Sequence, residues 1–367
     1  MKKYLLLLVS ILLFCSFLID NEVIHFDAKK NDTISLVFVG DIMGHSPQFN
    51  AAYNPKTNTY NYDICFSNLK SYIQDADFAI ANLEVTISGK PYSGYPNFSS
   101  PDALLDALKN SGFNILLTGN NHVLDRGKFG LERTIHQIEK RKLLHLGSYI
   151  DKNQRDSIYP LILENNGFKI AVLNCTYGTN SIVATKPNKV NYIDTTEIKA
   201  DIQKANALGA NFRIMTIHWG NENELHANKF QNKIAQFLVN NGINLIVSAH
   251  PHVVQNFETL YSNDSTSVPV LYSLGNCISN QRELDTKGGI MVRVDINVAS
   301  KRISNISYLP VYVYRGVLNG VYQYHLIPTI NFILNPSKYS LNTNDSLALL
   351  NFDKNIKRRL HNTHLYP

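Results

Sequence analysis

Six short segments of this chain place polar side chains that can hold an ion or move a proton directly after an apolar run. They are Gly40-Asp41-Ile42-Met43-Gly44-His45, Asn82-Leu83-Glu84, Gly119-Asn120-Asn121-His122 with Asp125 and Gly127 close behind, His218-Trp219-Gly220 with Glu222, His250-Pro251-His252, and Ser273-Leu274-Gly275-Asn276. Ligands of open α/β folds bind at the carboxyl ends of strands, so these segments point to one composite polar site. Side chains two apart in an extended segment face the same way, and Pro251 favours an extended His250. His250 and His252 are therefore expected side by side. With Asp41, Glu84, Asn121 and His218 they make a mixed oxygen and nitrogen donor set, suited to manganese, iron or zinc rather than to a thiolate centre.

Asn121 can offer its amide oxygen to a metal while His122 points elsewhere as a proton donor, and Asp125 is placed to orient that ring. The competing reading of this segment is a cap for a helix that begins near Gly127. Trp219, Glu222 and Asn276 are the candidate substrate-binding residues, although a lone tryptophan at a strand end can equally pack a core edge. His45 stays in play through its position, whereas His136, His145, His226 and His325 are read as surface or core histidines.

The elements that must position these groups alternate. Thr33–Val39, Phe78–Leu83, Asn114–Leu117, Lys169–Leu173, Arg213–Ile217, Ile243–Val247, Val268–Leu274 and Gly289–Ile296 read as strands. Between them, Ser100-Pro101-Asp102 starts a helix whose Leu104, Leu105 and Leu108 share a face, and Gly112 stops it. Leu131, Thr134, Ile135 and Ile138 recur at helical spacing, as do Phe230, Ile234, Phe237 and Leu238 before Asn241-Gly242. The pattern is that of an α/β fold. Residues 21–32 read as a polar linker, 33–300 as the domain, and 301–367 as a C-terminal extension of unknown role.

Of 367 residues, 44% are hydrophobic and 17% charged, which fits a packed core rather than disorder. The net charge of +6 favours anionic ligands mildly. No clustered basic arm is present, which argues against nucleic acid. Lys354, Lys357, Arg358 and Arg359 read as a solvated helix face. Cys15, Cys65, Cys175 and Cys277 are far apart without metal or disulfide spacing and read as small hydrophobes. Lys2 and Lys3 precede an apolar run from Tyr4 to Ile19, the pattern of a secretion signal; with no small-residue cleavage site after it, residues 1–20 are a signal peptide or an uncleaved membrane anchor. An exported protein of the cell envelope is expected.

Taken in order and spacing, GDIM at Asp41, Asn82-Leu83-Glu84, Asn120-Asn121-His122 with Asp125 and Gly127, His218-Trp219-Gly220 with Glu222, His250-Pro251-His252 and Leu274-Gly275-Asn276 resemble the motifs of the poly-γ-glutamate capsule synthesis (CapA) family, over about residues 33–295. That family is similar to the calcineurin-like metallophosphatases. The resemblance implies a four-layer α/β/β/α sandwich with one or two divalent ions on loops after the strands. It makes Asp41, Glu84, Asn121, His218, His250 and His252 the ligands, and His122 the proton donor oriented by Asp125. Metallophosphatases have Asp-x-His in the first motif; here the third position is Met43, and a glutamate stands where an aspartate bridges two ions.

Two functions follow as expectations. One is a metal-dependent hydrolase acting on a phosphoester, or on an amide or isopeptide bond of a polymer such as poly-γ-glutamate. The other is a non-catalytic accessory that binds an anionic polymer within a capsule synthesis or export complex at the membrane.

Overall fold

The structure, a computed structural model, describes residues 22–29 and 32–360, together with the backbone of 364–365. The expected signal or anchor segment lies outside the described residues, as does Cys15. Among the described residues no helix is long and apolar enough to cross a membrane.

The central strand Thr33–Ile42 shows how the layers arise. Its alternation sends Ile34, Leu36 and Phe38 into one core and Val37 and Val39 into another, so both faces are buried and the segment reads as almost continuously apolar. It runs parallel to Phe78–Leu83, which pairs with Ile115–Leu117 and that in turn with Leu144–Leu146. The crossovers are the helices Ala103–Ser111 and Gly127–Lys140. The first buries Leu104, Leu105 and Leu108 and ends at Gly112, whose φ of 110° only glycine adopts at little cost. On its other side Thr33–Ile42 pairs antiparallel with Gly288–Asn297.

A seven-stranded sheet faces this one. Its parallel centre is Phe168–Thr176, Phe212–His218, Leu245–Ala249 and Ser267–Leu271, joined in part by the helices Thr195–Ala207 and Lys229–Asn240. Ile34, Leu36 and Phe38 from one sheet share a core with Ile162, Leu163, Ile170 and Val172 from the other. Helical Leu104 and Leu108 cover one outer face, and Ile198, Ile202, Ile234 and Leu238 cover the other. This is the expected four-layer α/β/β/α sandwich. Each large apolar side chain buried in it contributes about 1.5–3 kcal/mol.

Two boundaries differ from expectation. The supposed linker contains Val23–His25, a strand parallel to Leu161–Asn165. The C-terminal extension does not end the domain at residue 300 but continues its sheet: Arg302–Leu318 pairs with Gly288–Asn297 along its length, and Val321–Pro328 pairs back onto it, so the sheet around Thr33–Ile42 has nine strands among the described residues. Beyond them the helix Thr343–Arg359 buries Leu349, Phe352 and Ile356. Its Arg359 is no solvated charge; it donates to the Val254 carbonyl at 2.8 Å and pairs with Asp285 at 3.0 Å. Cys65, Cys175 and Cys277 are buried free thiols.

Candidate metal centre

The strand pairings bring the polar segments to one rim. Asp41 is in register with Asn82 and with Asn276, and His218 with both Thr176 and Ala249. The nine-stranded sheet thus delivers Asp41 and Glu84, and the seven-stranded sheet delivers His218 and the His250-Pro251-His252 turn. Close approach is built into the backbone. Asp41 N–H donates to the Gly275 carbonyl at 3.0 Å, and a Cβ on Gly40 would lie 1.8 Å from that same oxygen.

Asp41, Glu84, Asn121, His218, His250 and His252 are all buried. Ligand atoms of Asp41, Glu84 and His218, and those of Glu84, His250 and His252, lie within 4.8 Å of one another. Glu84 Oε1 is 3.6 Å from His218 Nε2 and 3.8 Å from His252 Nε2. His218 Nε2 is 2.8 Å from Asn121 Oδ1. Among the described residues neither carboxylate oxygen of Glu84 has a hydrogen-bond partner, nor has His250 Nδ1. Leaving such groups dry and unpaired is costly; oxygen and imidazole atoms converging this way fit a divalent cation.

The electrostatics agree. Burial, then the Asp41 charge, pushes the Glu84 carboxyl well above its usual range. Burial also lowers His218 far below the ordinary histidine value and lowers His250 to about 3, with neighbouring imidazoles adding to both; both rings are therefore neutral and keep a lone pair. Burial would raise Asp41, but its hydrogen bond and charge contact with His252 outweigh that and hold it low. The same pairing raises His252 against its burial.

Around this cluster a polar scaffold fixes ring orientation. His252 Nδ1 lies 3.0 Å from Asp41 Oδ2 and 3.1 Å from Asn276 Oδ1, which leaves Nε2 toward Glu84. Asn82 donates to Asp41 at 2.7 Å and faces His218 Nδ1 at 3.2 Å. Asn120 ties the loop down through the Leu83 carbonyl at 2.8 Å. His122 Nδ1 is 2.8 Å from Asp125 Oδ2, which also accepts from the Phe98 amide at 2.7 Å, and Phe98 packs edge-on against the imidazole at 4.7 Å. The helix does begin at Gly127, but Asp125 spends its carboxylate on His122 rather than on a cap.

Three expectations are corrected. His250-Pro251-His252 is not extended: His250 has φ 101° and His252 φ 59°. The two rings face the cluster through a strained turn, 6.0 Å apart. Trp219 cannot touch a substrate. It is fully buried, stacks on Tyr272 and donates to the Tyr272 carbonyl at 3.2 Å. Asn276 is committed as well; its amide nitrogen donates to Gln281 at 2.8 Å and to the Thr286 carbonyl at 2.9 Å, so it positions His252. Glu222 is exposed at the mouth, and its charge acts on Tyr177, Glu84 and His252.

Tyr177 was not anticipated. Its ring lies 4.5 Å from that of His250 and nearly parallel to His218 at 6.3 Å, with 43% of the residue exposed. Burial and the Glu222 charge push its hydroxyl up to about 12, so it stays protonated. It follows the strand Phe168–Thr176, and the strand-end rule that picks out the other site residues covers it too. His45 also borders the site: burial lowers its imidazole to about 4, and Nδ1 lies 3.1 Å from Gln48 Oε1 and 3.3 Å from the Asn280 amide nitrogen. Met43 is buried among apolar side chains.

Known proteins resemble the chain in both sequence and fold. It is 26% identical over 280 residues to the capsule biosynthesis protein CapA of Bacillus anthracis, covering 72% of this chain but only 64% of that one. It is 25% identical over 277 residues to the PGA biosynthesis protein CapA of Bacillus subtilis, covering 72% and 68%. The Haemophilus influenzae NAD nucleotidase superposes with a TM-score of 0.52 at 15% identity, over 89% of this chain and 63% of that one. That likeness is one of fold, the calcineurin-like metallophosphatase sandwich. The family described as bacterial capsule synthesis protein PGA_cap matches residues 35–281, more than half of the chain, and the chain belongs to that family.

Proposed function

We propose that this protein is a metal-dependent hydrolase of the cell envelope that acts on a phosphoester, or on an amide or isopeptide bond, in the making or processing of an anionic capsule polymer such as poly-γ-glutamate. The observation that supports it is Glu84, a buried carboxylate without a hydrogen-bond partner among the described residues, set among His218, His252 and Asp41. Asp41, Glu84, Asn121, His218, His250 and His252 would hold one or two ions of manganese, iron or zinc. A divalent cation held by these residues would supply Lewis-acid polarisation of the scissile bond and stabilisation of developing negative charge. His122, fixed by Asp125, gives a proton to the leaving oxygen or nitrogen. Tyr177 walls the approach, and Glu222 stands at its edge. The envelope location rests on the basic and apolar residues 2–19, and a capsule synthesis or export complex at the membrane is the corresponding partner.

The test is metal analysis together with hydrolysis of bis(p-nitrophenyl) phosphate and of γ-linked glutamyl oligomers. His122→Ala should keep its metal and lose about 10²–10⁴ in kcat, whereas His250→Ala should lose both metal and activity. Full metal content with undiminished hydrolysis in His250→Ala overturns the reading. Buried Met43, at the position where metallophosphatases carry a histidine, favours one alternative, a polymer-binding accessory. That alternative predicts a wild-type protein that binds the oligomer and hydrolyses neither substrate.

A further inference from the structure

Next to His45, two guanidinium groups outside the candidate ligand set meet. Arg282 Nη2 donates to Asn280 Oδ1, and Arg315 Nη1 reaches the same oxygen at 3.3 Å. The hydroxyl of buried Tyr324 donates to it as well. One amide oxygen, with two lone pairs, thus serves three donors. Arg315 also donates through Nε to Tyr322 at 2.7 Å. Among the described residues neither guanidinium is paired with a carboxylate, and the Arg282 charge is felt at His45.

Two like charges gathered on one neutral acceptor repel each other, and each retains unused N–H donors in a fork that matches an oxyanion. The cluster is joined to the site by its own backbone: the Asn280 amide is 3.3 Å from His45 Nδ1, and His45 lies in the same segment as Asp41.

We infer that Arg282 and Arg315 form an anion subsite that takes an oxyanion of the substrate next to the bond held at the metal centre. The ligand class is a chain bearing repeated carboxylates or phosphates, one group at the arginines and the next linkage at the metal. The subsite's part in catalysis rests on the hydrolase reading above; its existence does not.

The test uses the full chain with its metal, titrated by calorimetry with a short γ-linked oligoglutamate and, separately, with tripolyphosphate. Arg282→Gln/Arg315→Gln should bind at least about tenfold more weakly, the loss expected when charge-assisted hydrogen bonds are removed. Its metal content and melting temperature should stay unchanged, and Arg282→Lys/Arg315→Lys should recover part of the loss. The probe that loses more identifies the anion as carboxylate or phosphate. Unchanged affinity for both probes in the double glutamine variant overturns the subsite. Binding that survives in metal-depleted His250→Ala, yet is lost in the arginine variant, upholds the subsite without the hydrolase reading.

Discussion

Nε2 of His218 stands 3.6 Å from Oε1 of Glu84; His218 ends a strand of one sheet and Glu84 directly follows the strand Phe78–Leu83 of the other. The candidate site is therefore a joint between the two halves of the sandwich, and a cation held by these residues would clamp them. Ligand that binds only the folded state stabilises it by about 2.7 kcal/mol at a hundredfold excess over Kd. Chelation should lower the melting temperature, and re-addition of manganese or zinc should restore it. Glu84→Gln should remove this increment while making the metal-free protein more stable, by about 1–3 kcal/mol, since it replaces an unpaired buried carboxylate. A Glu84→Gln protein that melts lower than wild type when both are metal-free would contradict this account.

Asn276 and Asn82 touch the candidate ligands His252 and Asp41 from behind. If they set ring orientation, Asn276→Ala and Asn82→Ala should weaken metal binding by about 10–100-fold with little change in secondary structure. Competition with a chromophoric chelator measures this directly.

Trp219 bears on stability rather than on substrate. Trp219→Ala should cost about 3–5 kcal/mol in urea unfolding, and Trp219→Phe clearly less. In the phenylalanine variant KM should stay at the wild-type value; a raised KM with unchanged stability would return Trp219 to the substrate.

Acid should also weaken the fold through a buried histidine outside the candidate ligand set. Burial holds the His325 imidazole below its ordinary value of 6.5, and the ring stacks on Tyr314 at 6.1 Å. The unfolded chain takes up this proton at higher pH than the folded one, so the stability tied to neutral His325 is full above the ordinary value and is lost as pH falls through and below it. His325→Phe keeps the stack and removes the proton. Between pH 7.5 and 5.5 its melting temperature should fall less than that of wild type; equal falls would dismiss the effect.

Much of the candidate site was legible because each candidate ligand follows an apolar run. Asp41, Glu84, Asn121 and His218 follow strands whose existence their β-branched and aliphatic residues already declare. What escaped was direction. The side chain of Trp219 turns into the core because its indole N–H finds the Tyr272 carbonyl there, a partner far along the chain. His250 and His252 reach positive φ in a turn that spacing alone describes as extended. The last two long strands were missed for a different reason. Arg302–Leu318 opens with polar residues at the sheet's end before its buried stretch, which hides the alternation. The Asn319-Gly320 turn between the strands, positive in φ at both residues, is a readable hairpin signal that a search for apolar runs passes over.

The pairing of Gly288–Asn297 with Arg302–Leu318 has a consequence for how the chain is made. Every candidate ligand lies before residue 276 in the chain, yet the sheet carrying Asp41 and preceding Glu84 still lacks its outer strands at that point. A chain ending near residue 300 would present Gly288–Asn297 as a long bare edge, open to pairing with other chains. Premature termination there should thus yield aggregates rather than a smaller folded domain, because the edge is covered only once Arg302–Leu318 and Val321–Pro328 have been added.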